Sequence, residues 1–158
     1  MTYKATGAIG PNLTDVQTSA QHRLGARVDG VDDGTYGEGK FIYLRGVAST
    51  AVGDMVVFDE SFQTTRAVAA SRGPLAAALA AVGANQFGWY QIQGLAVCRT
   101  GTVVADTRPY LTATPGQIDD AVVAGQAIDS ARFQTADGNP AAGLALVMLA
   151  EPSANGNG

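Results

Sequence analysis

Hydrophobic residues in this chain come in short runs broken by glycine, proline and aspartate, rather than at helical spacing. Such runs predict strands. Lys40–Arg45 is rich in β-branched and aromatic types and closes at Gly46. Val52-Gly53-Asp54 reads as a turn into a strand over 55–58, and 64–68 alternates polar with small apolar groups, as an edge or half-buried strand does. In Phe87–Gln93 the alternation places Tyr90 and Ile92 on one face and Trp89, Gln91 and Gln93 on the other, and Gly94 permits a bend before 95–99. Further strands are expected over 102–105, 108–112 and 143–149, with a shorter one around 124–128. The turn clusters are 29–34, 114–116 and 137–140. Many short strands punctuated this way predict an all-β barrel or sandwich, and no period of 20 to 50 residues suggests a solenoid.

Three stretches depart from this pattern. Residues 1–22 carry Tyr3, Ile9, Leu13 and Val16 as sizeable apolar groups at no consistent period, with Gly7, Gly10 and Pro11 breaking any helix. They are read as an extended N-terminal arm, able to span about 70 Å at ~3.3 Å per residue, or else as a loose terminus. Residues 74–82, Pro-Leu-Ala-Ala-Ala-Leu-Ala-Ala-Val, have the local preferences of a short helix, so helix and strand both stand for this stretch. Residues 153–158 read as a disordered tail, which leaves 23–152 as a single β domain.

A length of 158 residues suits one core, burying roughly 68–70% of the surface of the unfolded chain. That core must be built from small groups, since the chain holds 28 alanines and 20 glycines. Such chains pack thin β layers or rely on neighbours. The 10 basic residues are outnumbered by 14 acidic ones, and the net charge is −4. With two lysines and scattered arginines there is no basic face to neutralise phosphates, so direct nucleic-acid binding is not expected. No apolar run reaches the length of a membrane span, and the opening MTYKATGAIG lacks the apolar stretch of a secretion signal, so a soluble chain without a cleaved leader is expected. Cys98 is the single cysteine and excludes an internal disulfide.

The chemistry-bearing residues are few. His22, the one histidine, sits in the arm, and Cys98 has no histidine in its own region to generate a thiolate. The 29–34 segment resembles a calcium loop only superficially, because Val31 and Lys40 fall where ligands would be needed. Asp119 and Asp120 would diverge on a strand, and the glycine-rich 34–40 segment lacks the Ser or Thr of a phosphate cradle. An enzyme would need groups such as Asp54, Arg66 and Asp106 acting together, and their spacing gives no support. No catalytic residue, metal ligand or cofactor is therefore expected. Trp89 and Tyr90, the largest aromatic pair, are either core or inter-subunit anchors.

Leu24–Val28, the glycine-rich turn into Phe41–Leu44, Ala51–Val57 and above all Gln86-Phe87-Gly88-Trp89-Tyr90-Gln91-Ile92-Gln93-Gly94 resemble the small β proteins that decorate the heads of tailed bacteriophages. Leu146–Pro152 is similar to their closing strand. The resemblance spans 24–152 loosely. It implies a β-tulip-like barrel and a strand at 74–82. It also implies a non-enzymatic capsid decoration, or cement, protein: a homotrimer on the outer surface of the virion, whose arm touches the major capsid protein. On that expectation Tyr3, Ile9, Leu13 and Val16 are the capsid-binding residues, and Trp89 and Tyr90 lie between subunits. The alternative is a glycan- or host-binding β module displayed on a particle, with Trp89 or Tyr36 stacking on sugar.

Overall fold

Eleven strands and no helix make up the described residues of the computed structural model, which are 3–5, 10–32 and 35–158. In chain order they are β1 (Tyr3–Ala5), β2 (Arg27–Asp32), β3 (Glu38–Arg45), β4 (Met55–Phe58), β5 (Thr64–Arg66), β6 (Gly73–Ala78), β7 (Phe87–Arg99), β8 (Tyr110–Leu111), β9 (Ile118–Asp119), β10 (Ile128–Phe133) and β11 (Leu144–Ala154). The expected all-β class is what forms. Nine strands make one antiparallel sheet in the order β1-β2-β3-β7-β11-β6-β4-β5, with β10 beside β11 and a second pairing of β6 to β7. The sheet curls into a half-barrel. A bridge from Arg45 to Gln63 and a hydrogen bond from the Arg45 backbone N–H to the Phe62 carbonyl, at 3.0 Å, bring the β5 side back to the end of β3.

The period-2 alternation of β3 and β7 sorts their side chains onto two buried faces. Ile42, Leu44, Tyr90 and Ile92 point into the curl, where they meet Val56, Phe58, Ala76 and Ala78. Phe41, Tyr43 and Trp89 point the other way, against Leu13 and Leu79. A third cluster fills the layer between β4, β6, the second half of β7, β11 and β10 with Met55, Leu75, Cys98, Phe133 and Val147.

Residues 73–78 form a strand rather than a helix. Leu75 and Ala77 belong to one cluster while Ala76 and Ala78 belong to another, so β6 is covered on both faces. It pairs with β4, β7 and β11. A helix would present one stripe and forfeit all three ladders, far more than the few tenths of a kilocalorie per residue by which alanine prefers a helix.

Other boundaries also differ from expectation. Residues 87–99 are one strand: Gly94, at φ 95°, pairs with Gly39, and the register to β3 shifts between Gln91 and Gln93. Residues 29–32 belong to β2, not to a turn. Residues 102–105 are not a strand, because carboxylates take their amides: Asp137 Oδ1 accepts from Val103 N–H at 3.0 Å and Asp120 Oδ2 from Val104 N–H at 2.8 Å. The strand expected around 124–128 begins only at Ile128 and runs to Phe133. The expected disordered tail starts inside β11, where Ser153 and Ala154 pair with Pro74 and Gly73. Beyond it, the carbonyls of Asn157 and Gly158 accept amides from Ala127 and Gly125 at 3.2 and 2.7 Å.

Candidate interaction surface

The leading segment is expected to supply the binding residues, and its described parts lie on the domain. β1 adds antiparallel to β2 as the outermost strand, with Tyr3 opposite Asp32 and Ala5 opposite Gly30. Farther along, Gln17 exchanges both backbone bonds with Phe87, at 2.9 and 2.8 Å. The Tyr43 hydroxyl donates to Gln17 Oε1 and accepts the Gln21 amide at 3.2 Å. Leu13 is fully buried beside Phe41, Tyr43 and Trp89, which corrects its place among outward-facing contacts: the aromatic face of β3 and β7 needs an apolar cover, and Leu13 is part of it. Val16 remains 39% exposed. Ile9 lies outside the described residues.

Trp89 and Tyr90 are both inside the single chain, which corrects their expected position between subunits. Trp89 is 3% exposed, and Tyr90 is fully buried in the curl. Adjacent residues on a strand face opposite ways, and here each face is already covered by the chain itself. Trp89 therefore offers no open platform for a sugar, and Tyr36 is half-buried against the same cluster. His22 closes the group, its ring 5.1 Å from that of Tyr43 and 5.3 Å from that of Trp89. Among the described residues the Trp89 indole N–H has no hydrogen-bond partner.

Of the three residues an enzyme would need to unite, two come together. Asp54, fully buried, accepts from Arg66 Nε at 2.8 Å and from the Ala51 amide at 2.9 Å, and it also receives Arg99. Arg66 reaches on to the Pro115 carbonyl at 2.9 Å. This knot ties β4, β5, β7 and the 112–117 loop, with the carboxylate's bonds directed to the chain itself. Asp106 is elsewhere, exposed and paired with Arg132 at 3.5 Å. Among the described residues no group of three or more His, Cys, Asp or Glu is placed to hold a metal ion. Burial in apolar surroundings pushes the Cys98 thiol up to about 12, the reverse of what a nucleophile requires.

Two surface features went unread in the sequence. An open cleft of about 360 Å³ lies at the mouth of the curl, walled by Phe58, Ile92, Pro74 and Pro152 and crossed by the Arg27–Glu151 ion pair. The strands that form it are far apart in sequence, so only the sheet order brings them together. Val104 and Val122 are the second feature, the latter 77% exposed. Their loops are joined by Asp120, which bonds the Val104 amide. The uncharged run Ala121-Val122-Val123-Ala124 was the available signal, but its last residue fell in the short strand expected around 124–128.

No protein-family model matches this sequence, and no curated protein matches it significantly.

Proposed function

We propose that this chain is a non-enzymatic structural protein that binds the outer surface of a tailed-phage capsid at capsomer junctions and stabilises the head. Its partner is the major capsid protein, and it acts as a homotrimer on the virion exterior. The observation that carries the reading is the way the leading segment attaches, by adding β1 as an antiparallel strand to the free side of β2. Strand addition needs only an exposed sheet edge on the receiving side, so the same chemistry serves between proteins. A net charge of −4 suits the outside of a shell whose interior holds a polyanion. Three linked copies raise avidity by ~10²–10⁴ without a new contact, which lets modest attachments resist internal pressure.

The test is cosedimentation of the purified chain with heads assembled without it, from a phage whose genome encodes the chain. Saturable binding and heads more resistant to heat are expected. Protein that stays in the supernatant at every head concentration overturns the proposal.

A further inference from the structure

We propose that Asn155 is a self-modification site: it loses its side-chain amide to the Gly156 backbone, and the carboxylate left behind releases residues 155–158 from β10 and from residues 125–127 before it. The inference concerns how these residues are fastened and stands whether or not the proposed function does.

Asparagine followed by glycine suits this chemistry, because a residue without Cβ leaves its own backbone nitrogen unhindered. The Gly156 nitrogen attacks Asn155 Cγ. A new N–C bond forms as the Cγ–Nδ2 bond breaks, and ammonia leaves with the proton that Gly156 gives up. Water then opens the imide: its hydroxyl joins one carbonyl carbon as that carbon's bond to nitrogen breaks, and its proton returns to the nitrogen. Aspartate or isoaspartate results, and water is the sole co-reactant. Asn155, Gly156 and Asn157 are exposed, so water reaches them.

The surroundings give the change its consequence. Asn155 Nδ2 donates to Asp129 Oδ2 at 3.2 Å and to Ser153 Oγ at 2.9 Å, and Asn157 Nδ2 donates to the same Asp129 oxygen at 3.2 Å. Arg108 holds the other oxygen at 2.6 Å. Loss of the amide puts a second carboxylate where Asp129 had a donor, and the two repel. Arg72 lies against Gly156, its Nε 3.1 Å from where a Cβ would stand, and it bonds uncharged oxygens, of Ser71 at 2.7 Å and Gln126 at 3.5 Å. A guanidinium there favours the deprotonated nitrogen that attacks, and afterwards offers the new carboxylate a partner in place of Asp129.

The bonds to Asp129 hold two backbone links in place. The Asn157 carbonyl accepts the Ala127 amide at 3.2 Å, and the Gly158 carbonyl accepts the Gly125 amide at 2.7 Å. Both loosen when Asn155 turns away. Ammonia diffuses off, so the change runs one way.

The purified chain is held at mildly alkaline pH and mapped by peptide mass. Asn155 is expected to become aspartate and isoaspartate while Asn12, Asn85 and Asn139, none of which precedes glycine, keep their amides. Arg72→Gln should slow the loss several-fold. An Asn155 amide that lasts as long as that of Asn85, in the native and Arg72→Gln chains alike, overturns the modification.

A second measurement reads the release directly. Hydrogen exchange at the Gly125 and Ala127 amides should be several-fold faster in Asn155→Asp than in Asn155→Ala, which loses the same bonds without gaining a charge. Equal exchange in the two variants overturns the release.

Discussion

Gly25 lies beneath the ring of Phe62, so that a methyl group added at Gly25 would come within 2.6 Å of Cε1 and 2.7 Å of Cε2 of that ring. Gly25 also has φ 80°, in the left-handed region that penalises other residues. Gly25→Ala should therefore destabilise the fold by about 1–3 kcal/mol, from overpacking and backbone strain together. Urea unfolding of Gly25→Ala, Phe62→Ala and the double variant separates the two causes. Removing the ring should recover the steric part, so the double variant is less destabilised than the sum of the singles. Strict additivity would show that the ring and the glycine do not press on each other.

The Asp54 knot predicts an asymmetry between its members. Asp54→Ala removes the one carboxylate facing two guanidinium groups, and breaking a buried pair costs about 3–5 kcal/mol. Arg66 and Arg99 are each partly exposed and regain water, so the expected loss is about 2–3 kcal/mol. Arg66→Ala should cost less, because Arg99 and the Ala51 amide still hold the carboxylate. Chemical denaturation of both variants decides the order. An equal or larger loss from Arg66→Ala would contradict it.

Leu13 and Val16 should separate stability from adhesion. Leu13→Ala opens a cavity in a filled face and should cost about 2–4 kcal/mol, with a red shift of Trp89 emission as water reaches the indole. Val16→Asp, at an exposed position, should change stability by no more than about 0.5 kcal/mol yet weaken head binding. A truncation meant to test adhesion should stop before Leu13, since removing residues 1–20 also uncovers the aromatic core. Unchanged unfolding of Leu13→Ala would mean that the leading segment adds nothing to the fold.

Stability should fall at alkaline pH through Cys98 and Tyr90. Burial raises the Cys98 thiol from 9.0 to about 12 and pushes the Tyr90 phenol well above its usual value. Below pH 9 the thiol is protonated in both the folded and unfolded chain, so its contribution is fully present. Between 9 and about 12 only the unfolded chain ionises, and the contribution is progressively lost. Cys98→Ala should flatten the decline in this window, measured by denaturant titration at stepped pH. The native thiol should also resist a disulfide reagent at pH 8 until the chain unfolds.

The strand signal was legible where β-branched and aromatic residues gather, as in Phe41–Leu44 and Phe87–Ile92, although both faces of these strands are buried. It failed at 73–78, where both faces are buried and alanine's local preference points to a helix. It failed again at 102–105, whose amides bond to aspartates 16 and 34 residues away, and at β10, where Asp129, Ser130 and Arg132 dilute the apolar pattern. The leading segment was read as an extended arm or a loose terminus, and Gln17 ties it to Phe87 of the sheet. Its docking was not legible, since Leu13 is buried by residues that follow it by 28 to 76 positions. For the same reason Trp89 and Tyr90 looked available to a neighbour: period and spacing give the two faces of a strand, but not what covers them.

Because β7 carries Trp89 on one core and Tyr90 on the other, a single backbone serves two compartments. A shift of that strand by a few tenths of an ångström is felt at once beneath the leading segment and within the curl. Seating or unseating the leading peptide is thus mechanically linked to the tightness of the half-barrel, and a pull on one should register in the other.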